Sequence, residues 1–94
     1  MTDESIPPEC SDIEVAHRRI AAHVRHTPLL RLAAGELDVP VPLALKLELL
    51  QHAGSFKPRG AFNRILSARE AGALPAAGVI AASGGNHGAA VAYA

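Results

Sequence analysis

Lys57 lies in Gly54-Ser55-Phe56-Lys57-Pro58-Arg59-Gly60-Ala61, a stretch of small residues where an extended run gives way to a helical pattern. A lysine can attack a carbonyl only as the neutral amine. The partial positive charge of a helix start disfavours an ammonium group there, so a purely structural lysine is better placed in a last turn. The dipole contributes about 0.3–1 kcal/mol. One pKa unit is worth about 1.4 kcal/mol, so the dipole alone cannot bring a lysine from ~10.4 to near 7. Desolvation, which can move a fully buried amine by up to about 3–5 units, has to supply most of the change. Phe56 and Ala61 permit such burial. The plainer alternative is a solvated lysine at a helix start.

The elements that must position this lysine are a strand before it and a helix after it. Leu43, Leu45 and Leu47 alternate with polar Lys46 and Glu48, which predicts a strand over 42–48. The segment 56–71 predicts a helix with Ser55 as N-cap, Gly72 just past its end, and Phe62, Ile65 and Leu66 as its core stripe. Pro58 falls in the first turn, where proline is tolerated. Arg59 could be solvated or anchor a carboxylate; a structural role is the expectation.

A second chemical candidate is Ser83-Gly84-Gly85-Asn86-His87-Gly88. The apolar run Gly78-Val79-Ile80-Ala81-Ala82 before it predicts a buried strand, and a helix is predicted from Asn86 onward. Strand, glycine turn and helix start form an anion-binding arrangement, because free amides point at whatever sits there. No Gly-Lys-Ser/Thr occurs, so a P-loop is excluded. The dinucleotide pattern is met in part by Gly85 and Gly88, with Ser83 where its first glycine belongs. Simple turn and cap chemistry would also explain Asn86 and His87.

Glu48, Gln51, Gly54, Ser55, Phe56, Lys57, Arg59, Gly60 and Ala61 together resemble the cofactor-lysine motif of the pyridoxal-phosphate (PLP) serine/threonine dehydratases, which are fold type II enzymes of the tryptophan synthase β-like superfamily. The 83–88 block resembles that family's Ser-x-Gly-Asn-His loop, and His26-Thr27-Pro28-Leu29 its usual opening. The resemblance implies PLP as cofactor, held as a Schiff base at Lys57, whose amine also removes the substrate α-proton. Phe56 and Asn86 would be further cofactor-binding residues, with Asn86 on the phenolic oxygen. Ser83, Gly85 and His87 would hold the substrate carboxylate. It implies an ammonia-lyase giving a 2-oxo acid and ammonia from L-threonine or L-serine, in a homo-oligomer. Serine racemases of the family carry a second Ser where Gly84 stands here, so elimination is favoured over racemisation. Ala53 and Pro58 also depart from the usual pattern.

The 94 residues carry no formal net charge and are 49% apolar. That balance gives no reason to invoke nucleic acid or an anionic membrane. One cysteine, Cys10, excludes an intrachain disulfide. No apolar run reaches the ~18–20 residues of a membrane span. A cytoplasmic location is expected only from missing signals. Residues 1–10 are acidic and proline-containing and read as a disordered tail. Ser11 and Glu14 fit a capping box, opening a helix whose apolar positions are Ile13, Ala16, Ile20 and Val24. Its basic residues include His17, His23 and His26, which lack metal-pair spacing, so a solvated basic face is favoured over a metal site or a phosphate patch. Leu29 to Leu32 predicts a strand, and Gly35 and Pro40 a turn-rich connection.

Alternating strands and helices predict an α/β fold with a largely parallel sheet, its two helix starts meeting at one edge. Tyr93-Ala94 falls inside an apparent helix without a stop signal. The phosphate-holding loop implied by the resemblance is not among these residues. The expectation is a partial domain over 11–94, inactive as an enzyme by itself. The alternatives are a non-catalytic interaction or dimerisation fragment and a dinucleotide-binding module.

Overall fold

A computed structural model describes residues 6–94. Three helices and one two-stranded ribbon follow in the order α1 (Cys10–Ile20), β1 (Leu29–Leu32), β2 (Leu43–Lys46), α2 (Lys57–Glu70) and α3 (Asn86–Tyr93), with short 3-10 turns in the connections.

Helix α1 starts earlier than the Ser11/Glu14 pattern predicts. Glu9 is its N-cap, and the Glu9 amide donates to Asp12 Oδ2 at 2.8 Å. The same reciprocal device is used, two residues upstream, because Asp12 reaches the cap as readily as Glu14. Cys10 therefore belongs to the helix rather than to the predicted tail. Met1 to Ser5 lie outside the described residues. The helix ends at Ile20, and Val24 rejoins its face from the following turn to pack on the core.

β1 and β2 pair antiparallel, from Leu29 opposite Lys46 to Leu32 opposite Leu43. This corrects the expected parallel sheet: among the described residues the ribbon is the sheet, and it is antiparallel. Among the described residues no layer covers it, so Leu29, Leu30 and Leu45 remain exposed despite their alternation. The predicted strand over 78–82 is also corrected. It finds no ladder partner among the described residues, and Ile80 is 98% exposed rather than buried. An apolar run marks what a segment can do, but a strand exists only when its amides and carbonyls meet another backbone.

Helix α2 closely follows its predicted span. Pro58 occupies the first turn and is fully buried. Ser55 does not occupy the cap position itself, which falls to Phe56, yet its Oγ accepts from the Lys57 amide at 3.3 Å. At the other end the Ala73 amide donates to Ala68 O at 2.8 Å and the Gly72 amide to Arg69 O at 3.1 Å. This Schellman closure needs a left-handed residue, which Gly72 supplies with φ 68°.

The core is small. Ile20 of α1 meets Phe62 and Leu66 of α2, with Val24 alongside. Phe62 also stacks on His23 at 5.2 Å between centroids and meets Tyr93 edge-on at 6.0 Å, joining all three helices. On the rim Arg19 clasps α2 through Glu70 (3.0 Å) and Asn63 (2.8 Å). Phe62→Ala is expected to lower unfolding stability by about 3–5 kcal/mol, enough to abolish the cooperative urea transition followed by far-UV circular dichroism; an unchanged midpoint would refute this account of the core.

Candidate active site

The segment that leads into α2 is held by a polar cluster. The Glu48 carboxylate accepts from the Thr27 hydroxyl and from the Arg59 guanidinium. Gln51 sits beside it. Its Oε1 accepts from the Arg25 amide at 2.8 Å, and its Nε2 donates to the Arg25 carbonyl at 2.9 Å. Thr27 and Gln51 are 3% and 2% exposed, so their polar atoms need these partners. The Arg59 guanidinium holds the Glu48 carboxyl below its ordinary 4.5; burial opposes this, and the Thr27 hydroxyl reinforces it. Arg59 thus has the structural role expected of it. It fastens the first turn of α2 to the Glu48 turn.

From this anchor the chain passes through left-handed Ala53 (φ 61°) and Gly54 (φ 75°) and enters α2 at Lys57. Lys57 is exposed, with Nζ 5.1 Å from the centroid of the Phe56 ring, a cation–π contact. The desolvation that a reactive lysine requires is therefore not built by these residues. Phe56 is itself 60% exposed.

The second loop is positioned by a close approach. Ser83 Oγ accepts from the Gly85 amide at 3.3 Å, and α3 begins at Asn86 with Gly85 as its N-cap. Asn86 is thus the first helical residue rather than the cap. A Cβ at Gly88 would lie 2.4 Å from the Ser83 carbonyl oxygen. Only glycine allows α3 to press so closely against the loop.

α2 packs on α3, and the two helix starts open onto one concavity lined by Phe56, Lys57, Arg59, Gly60, Ala61 and His87. Of the sequence-predicted site residues, Phe56, Lys57 and His87 come together there. Ser83, Gly85 and Asn86 stand in the adjoining loop and helix start, exposed, and do not line it. Thr27 and Gln51 belong to the support of the site although periodicity assigns them no role. The signal available for them was their place in the two quoted motifs.

An exposed lysine and a histidine at one opening, with a glycine-rich helix start adjoining it, suit an anionic aldehyde: a primary amine for the carbonyl and an imidazole for an anionic group. Comparison with known proteins points the same way. The sequence model of the pyridoxal-phosphate dependent enzymes matches residues 20–94. The chain belongs to this family of PLP-dependent enzymes. It is 48% identical over 82 residues to a Sinorhizobium fredii protein whose name makes it, provisionally, a threonine dehydratase, covering 87% of this chain and 24% of that one. It is 42% identical over 83 residues to a serine racemase of Dictyostelium discoideum, covering 88% and 25%. It is 41% identical over 95 residues to a phenylserine dehydratase of Ralstonia pickettii, covering 98% and 28%. The chain thus spans about a quarter of the length of these curated relatives. No solved structure matches it significantly.

Because the folded Glu48 carboxyl titrates below its ordinary 4.5, its stabilising effect is complete above that value and is lost as pH falls through the lowered one. Glu48→Gln is expected to cost about 1–3 kcal/mol at pH 7. Denaturant titrations from pH 7 down to about 3 should show the two proteins converging only below the ordinary carboxylate range; an equal gap at every pH would remove Glu48 from this role.

Proposed function

We propose that this chain carries the lysine-bearing part of a PLP-dependent ammonia-lyase acting on L-threonine, L-serine or both. The observation that carries the reading is the meeting of Lys57 and His87, from the starts of two separate helices, at one opening. Bound PLP supplies an electron sink that stabilises negative charge at the substrate α-carbon. Lys57 Nζ would hold the cofactor aldehyde and, when freed by the substrate amine, would take the α-proton. Phe56 and Asn86 would be further cofactor-binding residues, Asn86 toward the phenolic oxygen. Ser83, Gly85 and His87 would hold the substrate carboxylate and so orient the α-proton toward Lys57. The β-hydroxyl would leave as water with the abstracted proton, and hydrolysis of the resulting enamine would give the 2-oxo acid and ammonia.

The relatives include a racemase as well as dehydratases. Racemisation needs a second acid on the opposite face of the α-carbon. Gly84 offers no side chain for it, and a Cβ built there meets nothing within 4 Å. That favours elimination. The assembly-fragment reading also has a specific observation in its favour, the exposed segment around Val79 and Ile80, which has no ladder partner among the described residues. It predicts concentration-dependent association and no selective lysine chemistry.

Incubation with PLP, borohydride reduction and peptide mass mapping tests the proposal without requiring turnover. Lys46 and Lys57 are the chain's only lysines, so Lys46 and the α-amino group are internal controls. A pyridoxyl group is expected mainly on Lys57. Gly88→Ala should reduce that selectivity, because the added methyl forces the Ser83 carbonyl away. Equal labelling of all amines would overturn the reading.

A further inference from the structure

We propose that a second cleft, bounded by α1, β2 and the first turn of α2, binds a small phosphate-type anion carrying two or more negative charges. His17, Arg25, His26, Lys46 and Arg59 line it, above a floor of Ala21 and Val24, and no carboxylate is among the lining residues. Sequence alone places the first three on one basic face of solvated residues. The fold adds Lys46 from the ribbon and Arg59 from α2.

Three of the cations already have hydrogen-bond partners in the fold. Arg25 Nη1 donates to the Leu50 carbonyl at 3.1 Å, and Lys46 Nζ to the Thr27 carbonyl at 3.2 Å. Arg59 is held by Glu48. Each bond uses only part of the donor set: a lysine ammonium has three N–H groups and an arginine five. Arg59 is neutralised by its partner, so the surplus charge comes from Arg25 and Lys46, with two imidazoles as further donors. The whole chain has no formal net charge. A local surplus in a concave, partly apolar cleft therefore concentrates the field where a compact anion fits. The cleft volume of about 290 Å³ suits a small ion rather than a polymer. A guanidinium fork beside an ammonium matches phosphate oxygens better than a spherical halide. Arg59 separates this cleft from the Lys57 concavity, which it also lines, and the proposal is independent of the PLP chemistry.

The test is a pyrophosphate titration of the chain without PLP, followed through histidine ring protons by NMR, with chloride at matched ionic strength as reference. Saturable shifts are expected at His17 and His26 and none at His87. Lys46→Met should weaken binding about tenfold, and Lys46→Arg should restore most of it. His26→Ala, which breaks no side-chain hydrogen bond among the described residues, should weaken binding with the circular dichroism spectrum unchanged. Succinate should bind more weakly than pyrophosphate. Shifts reproduced by chloride, shifts centred on His87, affinity unaffected by both Lys46→Met and His26→Ala, or succinate binding as tightly as pyrophosphate would each overturn the proposal.

Discussion

The Glu48 carboxylate joins three parts of the chain that are distant in sequence. It accepts from Thr27 before the first strand, it follows the second strand, and it fastens Arg59 in the first turn of α2. Glu48 is mostly buried, with 15% of its side chain exposed, and its partner Arg59 is 28% exposed. An ion pair that is partly withdrawn from water is costly to break from one side, because the remaining charge is then left without compensation. Gln51 extends the cluster by closing two hydrogen bonds on the Arg25 backbone. The direction in which α2 leaves the ribbon follows from this cluster, and with it the place of Lys57.

The helix hosting Lys57 was legible because its signals are local. Periodic apolar residues, Pro58 in the first turn and Gly72 at the end are all contained in one segment, and the structure reproduces them. β1 and β2 were legible for the same reason. Their pairing was not, since alternation marks which face a residue takes and says little about the direction of its neighbour. The shift of the α1 cap from Ser11 to Glu9 shows the limit of local rules when two overlapping boxes compete. Of the residues that the motifs single out, Phe56, Lys57 and His87 line one opening while Ser83, Gly85 and Asn86 do not, and the support given by Thr27 and Gln51 emerges only when the turns are folded against each other.

The segment over 78–82 marks where a sequence signal and its physical realisation part. Its composition is that of a buried strand, yet it has no ladder among the described residues, and Val79 and Ile80 face solvent. Burial and pairing are properties of two partners. The same holds for the uncovered leucines of the ribbon. A core of Ile20, Phe62 and Leu66 supports the helices but leaves these apolar surfaces outside it.

Polar contacts set where α2 begins; small residues set how near α3 comes to it. Ala61 and Ala90 are buried on the two helices, which pack together. Larger side chains at either position would hold the axes apart, since interaxial distance follows side-chain size at the contact. Gly88 then brings α3 against the Ser83 carbonyl, where no Cβ fits. The opening shared by Lys57 and His87 therefore depends on residues that carry no chemistry themselves. Substitutions there would act on the site by moving a helix start, while leaving the amine and the imidazole unaltered.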